Sequence, residues 1–264
     1  MEESVERKKR HPLKERADVM KALMLRDLRT RFFNHGLGFL VVALWPLCHM
    51  AALLALFTFA GRQPPYGDSL NVFFVSGLIP TLLFMYVSRF MSVSLLMNAS
   101  MLAFPVIKPV DILFSRALLE ALAGALTAAF IFLILYALGD DPLPFAVDEA
   151  VACYFSILLF SIGIGMIVGT ISIYLPIFNT IYALFMIIVY GTSGVMFVTS
   201  SLPTAIGDAL AYSPVVQAVE WMRSAYFPTY NSRVLDKQYL VFAAMTSIFL
   251  GLLVERLTRR MVYE

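Results

Sequence analysis

Residues Ser200–Pro228 read SSLPTAIGDALAYSPVVQAVEWMRSAYFP. The stretch lies between two strongly apolar segments yet carries helix signals of its own. Two short helical pieces are predicted, Ala205–Tyr212 and Val215–Tyr226, divided by Ser213-Pro214. Proline is favoured at the first helical position, and the serine before it can serve as N-cap. The spacing in the second piece puts Val215, Val219, Met222 and Tyr226 on one face, with Glu220 and Arg223 beside it. Neither piece is long enough to span roughly 30 Å of hydrocarbon at about 1.5 Å per residue. Three readings are open: a hairpin dipping into a membrane from one side, a hairpin lying at its surface, or an interfacial loop with some helix. The rest of the chain decides between them.

The chain is 60% hydrophobic and 14% charged, with 22 Phe and 12 Tyr. A soluble domain is nearer 45–50% apolar and about 25% charged. Apolar runs of about 20 residues recur, which predicts an all-α polytopic membrane protein. Its length suits one membrane domain, with no room for a soluble catalytic domain. Cys48 and Cys153 both fall inside apolar runs and read as packing residues. A cleavable signal peptide is not expected, because the first apolar run starts near Leu37 and is too long for one.

Outward from the hairpin, the pattern divides the chain into a tail with an interface helix (1–36) and a transmembrane domain (37–264). Met1–Arg10 is polar and basic and is expected to be disordered. Leu13, Ala17, Met20, Met24, Leu28 and Phe32 recur at helical spacing, with Lys14, Lys21, Arg29 and Arg31 off that stripe. A basic amphipathic helix over Leu13–Phe33, lying in the membrane interface, is the expectation. Six spans follow, at about 37–60, 71–96, 112–138, 150–174, 180–198 and 239–254. The last is short by the 20-residue rule. With the N-terminus inside, only Arg62, Arg223, Arg233 and Lys237 fall on the far side, which holds Asp68, Asp140, Asp141, Asp148 and Glu149. The positive-inside rule therefore sets both termini in the cytoplasm and the hairpin outside. The inner turn Asn98–Asp111 is broken by Pro105 and Pro109, leaves a short apolar helix near Ala99–Phe104, and needs a surface to pack on.

Residues for chemistry are scarce. His11, His35 and His49 have no second ligand at helical spacing, so no metal site is expected, and no phosphate-binding loop is present. The run GIGMIVG at Gly163–Gly169 falls inside a span and reads as close helix packing. Glu120 is expected to pair with Arg116 four residues earlier rather than to carry protons. Aromatic side chains are plentiful in the spans. They suit lipid contact and packing, and their faces also suit a pore through which sugar rings slide.

Four stretches carry a resemblance: LMLRDLRTRFFNHGLGFLVVALWPL (Leu23–Leu47), NASMLAFPVIKPVDILFSRALLE (Asn98–Glu120), SIYLPIFNTI (Ser172–Ile181) and YSPVVQAVEWMRSAYFP (Tyr212–Pro228). Together with the six-span pattern they resemble ABC-2 type permeases, in particular the inner-membrane permease subunit of group 2 capsular-polysaccharide exporters. The resemblance implies a homodimeric channel in the bacterial inner membrane carrying two separate ATP-binding cassette ATPase subunits. It implies that this chain has no catalytic site and binds no cofactor, ATP and Mg being held by the ATPase. The substrate implied is an acidic capsular polysaccharide on a glycolipid anchor, passed on to a periplasmic co-polymerase and an outer-membrane export protein. Membrane lipids are the remaining partner, and no nucleic acid is involved.

By the same resemblance, contact with the ATPase falls to Arg26, Arg29 and Arg31 of the interface helix, to Asn98, Met101, Phe104, Pro105, Lys108, Pro109 and Asp111 of the first inner turn, and to Pro176 and Asn179 of the second. Phe39, Trp45, Tyr86, Phe90, Tyr182 and Phe185 are the channel-lining candidates. Pro214, Glu220, Trp221 and Arg223 are those of a re-entrant gate hairpin. In one respect the chain departs from the pattern: many relatives carry Arg-Asp in the turn between spans four and five, where this chain has Tyr174-Leu175-Pro176-Ile177-Phe178-Asn179. Alternatives are an ABC-2 exporter of O-antigen, teichoic acid or a small molecule, an ion-coupled secondary transporter, and a membrane-embedded transferase using the acidic outer loop.

Overall fold

A computed structural model of the chain describes the backbone of residues 12–31 and 38–262, and the side chains of 14–29 and 44–258. The tail Met1–Arg10 and the side chains of Leu13, Arg31, Phe32 and Phe39 lie outside the described residues. The elements are helices α1 (Pro12–Arg31), α2 (Gly38–Phe59), α3 (Leu70–Ser92), α4 (Ser94–Met97), α5 (Pro109–Leu138), α6 (Val147–Tyr174), α7 (Ile177–Thr192), α8 (Thr204–Ala211), α9 (Pro214–Tyr226) and α10 (Lys237–Val262), with 3-10 turns at Ala99–Ala103 and Thr199–Ser201. No strand occurs among the described residues. Helices α3, α5, α6 and α10 have the length and apolarity to cross a membrane, while Leu44–Phe59 and Ile177–Thr192 are shorter apolar helices. Helices satisfy their own backbone, which is what hydrocarbon demands.

Helix α6 is the axis of the bundle, and its most extensive packing is against α10 and then α3. The glycines of the predicted packing run explain how close that is. A Cβ on Gly163 would come within 2.6 Å of the Ile248 amide nitrogen, and one on Gly165 within 2.6 Å of Met91 Cβ. Backbones meet there because nothing larger than hydrogen intervenes. Helix α5 starts with Pro109 and with the Asp111 carboxylate accepting from the Lys108 amide at 2.9 Å. It stops at Gly139, whose φ of 84° lets the Asp140 amide turn back to the Leu135 carbonyl at 3.1 Å.

Several boundaries depart from the sequence reading. Helix α3 ends at Ser92, not Leu96, and the chain breaks at Val93 into the short α4. Helix α7 ends at Thr192, not Val198, because Gly194 (φ 85°) turns the chain and the carbonyls of Val195 and Phe197 are taken by Arg223. The last helix is not short. Asp236 Oδ1 accepts from the Tyr239 amide at 3.0 Å to start it, and it runs on through its charged end to Val262. Helix α1 forms as predicted, but its stripe is rotated. Among its described side chains Leu23 and Asp27 are buried, whereas Ala17 is exposed.

The bundle has two distinct ends. At one, the loops after α2, α5 and α9 meet: Tyr66 Oη lies 2.8 Å from Thr229 Oγ1, Asn71 donates to Asp140 at 2.7 Å, and the Ala146 amide to the Ala225 carbonyl at 2.9 Å. At the other end α1 packs along α5 beside the 98–111 turn.

Candidate functional site

Helix α9 is the most enclosed of the long helices among the described residues. Residues 215–223 are all buried, on every face rather than on the one face that periodicity picks out. It packs against α3, α6 and α10, whereas in α8 only Gly207 is buried. Pro214 is its first residue, as predicted, but the Ser213 side chain makes no cap; its carbonyl instead takes the Gln217 amide at 3.1 Å.

Two buried ions sit in this helix. Glu220 accepts from the Thr199 hydroxyl at 2.6 Å and from the Tyr230 hydroxyl at 2.8 Å. Arg223 donates to the carbonyls of Phe197 (2.7 Å) and Val195 (3.0 Å), and its guanidinium lies 4.1 Å above the Phe73 ring. Each charge thus has its own set of partners, the condition under which a buried charge is tolerated. Burial, and then the neighbouring Glu220 carboxylate, push the Tyr230 phenol above its ordinary value, so Tyr230 stays protonated and donates. Gln217 completes the hub. Its Nε2 donates to the carbonyls of Ala211 (2.7 Å) and Val234 (2.9 Å), and its Oε1 accepts from the Asp236 amide at 2.7 Å. Trp221 Nε1 donates to Glu149 at 2.6 Å, and Lys237 pairs with the same carboxylate oxygen at 2.8 Å. Glu149, in the first turn of α6, is therefore a bracket for α9.

At the opposite end, the interface helix and first turn meet through charge. Arg16 reaches Asp111 at 2.8 Å and the Val106 carbonyl at 2.8 Å. Arg26 donates to Asn98 and to Asp27. Asn98 is buried and its Nδ2 donates to the Ser94 carbonyl at 2.7 Å. Pro109 and Asp111 are buried and Met101 and Lys108 half-buried, whereas Phe104, Pro105 and Arg29 are exposed. Phe104 and Val106 are 57% and 49% exposed, and Leu175, Pro176 and Ile177 of the second turn are exposed too. The first turn is 3-10 over Ala99–Ala103 rather than α-helical. Asn179 accepts from Arg89, with Ser92 Oγ 2.8 Å from the same oxygen. In the turn that lacks Arg-Asp, Asn179 is thus bound by an arginine from α3.

The aromatic candidates divide. Trp45 and Phe185 are exposed; Tyr86 and Phe90 are half-buried, stacked with ring centres 6.3 Å apart. Tyr182 is buried and donates to Ser88 at 2.7 Å, so it faces α3. Glu120 pairs with Arg116 as expected, and the guanidinium also lies 5.0 Å from the Phe90 ring centre. Arg116 is itself buried. Beside this pair is an apolar cavity of about 40 Å³ bounded by Pro46, Tyr86, Phe90, Gly124 and Tyr154. Sequence reasoning missed Arg16, Arg89, Ser92, Thr199, Gln217 and Tyr230, whose roles depend on partners distant in the chain.

No family model matches the chain. Similarity to curated proteins runs nearly its whole length. It is 29% identical over 238 residues to the polysialic acid transport protein KpsM of Escherichia coli, covering 90% of this chain and 92% of that one. It is 23% identical over 236 residues to the capsule polysaccharide export inner-membrane protein CtrC of Neisseria meningitidis serogroup B, covering 89% and 88%. With BexB of Haemophilus influenzae, which carries the same description, it shares 23% over 235 residues, covering 89% and 88%. Over about nine-tenths of its length the chain is thus similar to proteins named for polysialic acid transport and for capsule polysaccharide export at the inner membrane.

Proposed function

We propose that this chain is the permease subunit of an ATP-driven exporter that carries a lipid-linked acidic capsular polysaccharide across the bacterial inner membrane. The observation that carries the reading is the similarity to capsule-export proteins over nine-tenths of the chain. It is a multi-pass inner-membrane protein. Six spans, α2, α3, α5, α6, α7 and α10, bring both termini to the cytoplasm, with α8 and α9 as a re-entrant hairpin on the periplasmic side. Two copies form the channel. Each binds an ATPase subunit that holds ATP and Mg, and a periplasmic co-polymerase and an outer-membrane protein receive the product.

The exposed apolar residues of both inner turns support an ATPase docking surface made by Phe104, Pro105, Val106, Leu175 and Pro176. Apolar side chains left exposed at a polar end of a membrane protein need a partner. The buried polar hub of α9 supports a hairpin anchored to the segments on either side of it, so that it moves only with them. Trp45 and Phe185, exposed on α2 and α7, are the aromatic residues best disposed to line the channel. Removing this chain from its host tests the reading. Lipid-linked polysaccharide should accumulate inside the inner membrane and vanish from the cell surface, whereas unchanged surface polysaccharide would overturn it.

A further inference from the structure

Helix α7 is loosely held. Only Tyr182 and Met186 of its sixteen residues are buried, and Ile181, Leu184, Phe185, Ile187 and Ile188 are all exposed. What holds its inner end is polar. Arg89, in the last turn of α3, donates to Asn179 Oδ1 and to Ser92 Oγ, the latter at 3.1 Å. Ser92 Oγ lies 2.8 Å from Asn179 Oδ1. One turn further in, Tyr182 donates to Ser88 at 2.7 Å, and Ser88 donates to the Phe84 carbonyl at 2.6 Å. The last turn of α3 therefore grips the first turn of α7 through four polar side chains and one tyrosine.

Both sides of this grip are roots of inner turns. Ser92 is the final residue of α3, and the chain continues through α4 into the Asn98–Asp111 turn. Asn179 is three residues beyond Pro176 of the second turn. We infer that Arg89, Ser92 and Asn179 are positioning residues that join the two inner turns into one unit, so that displacement of either turn is delivered to α3 and α7 together. The inference rests on the permease reading above and adds the residues that transmit its motion. An arginine donating to both a hydroxyl and an amide oxygen makes charge-assisted, directional bonds, and at this half-buried site they resist separation more than the thin apolar contact along the rest of α7.

The test uses inverted membrane vesicles containing the full chain with its co-purifying ATPase, supplied on their outer, cytoplasmic face with the host's own radiolabelled lipid-linked polysaccharide. The quantity read is polysaccharide moved per ATP hydrolysed, which a merely structural defect would not change in the complexes that survive. Asn179→Leu should lower this ratio about ten-fold, and Asn179→Asp, which keeps an acceptor for Arg89, should restore most of it. An unchanged ratio in Asn179→Leu, or an Asn179→Asp variant as poor as Asn179→Leu, would overturn the inference. If Asn179→Leu does not accumulate, Ser92→Ala decides. A drop of about three-fold supports the grip, and a wild-type ratio removes it. Wild-type vesicles that retain no ATPase at all would overturn the permease reading itself, and this inference with it, before any variant is compared.

Discussion

Glu220 and Arg223 stand one helical turn apart on α9, both fully buried, with Oε1 and Nη1 3.9 Å apart. At that separation they attract without a direct hydrogen bond, and each is satisfied by other groups. Glu220 holds Thr199 and Tyr230, and Arg223 holds the carbonyls of the turn after α7. The pair therefore fixes where three segments meet, and removing either ion strands its own partners and leaves the other charge without its counter-ion.

Glu220→Ala should cost about 3–5 kcal/mol, the usual loss when one member of a buried pair is removed. Thermal unfolding in mild detergent reads the stability, and surface polysaccharide together with small-solute leakage reads the gate. Glu220→Gln keeps one acceptor and should lose less. A Glu220→Ala protein with unchanged melting, export and permeability would show that the hub does not hold the hairpin.

Glu120→Gln keeps an acceptor for Arg116 and should export normally, since the pair is structural. Glu120→Leu leaves the buried Arg116 without its carboxylate and should lower stability by about 3–5 kcal/mol. An Glu120→Gln protein that folds and assembles but moves no polysaccharide would give the carboxylate a transport role.

Gly163→Val should drive α6 and α10 apart, because its side chain meets the backbone of Ser247 and Ile248 as well as the Ser247 hydroxyl, and the backbone cannot yield as a side-chain tip can. The loss should be at least about 1–3 kcal/mol, the cost of ordinary overpacking, and should appear as poor accumulation in the membrane. Gly191→Ala, with open space around its Cβ, is the control and should accumulate normally.

Inserting two glycines between Phe104 and Pro105 should leave membrane insertion intact and abolish coupling to ATP hydrolysis. Normal export from such a protein would show that the 98–111 turn is not where motion enters.

The helices were legible in the sequence because apolar runs, Pro109, Pro214 and Gly139 are local signals. The Arg116–Glu120 pair was legible for the same reason, lying at i and i+4 on one helix. The hairpin's two pieces were read nearly to the residue, yet their burial was not. Gln217, Glu220 and Arg223 look like one polar flank of an amphipathic helix until Thr199, Tyr230, Val234 and the turn after α7 close around them. Arg89 with Asn179 and Arg16 with Asp111 join residues about ninety positions apart. No periodicity within a segment reports such pairs. The end of α7 was missed because Val195–Val198 is apolar enough to continue a helix, while the demand of Arg223 for two carbonyls stops it.

The most direct measurement is purification of this chain from its native membrane in mild detergent, with mass spectrometry and an ATPase assay on what accompanies it. The account predicts a stoichiometric ATP-binding subunit whose hydrolysis responds to the permease. A chain that purifies without any such subunit, and transports nonetheless, would contradict it.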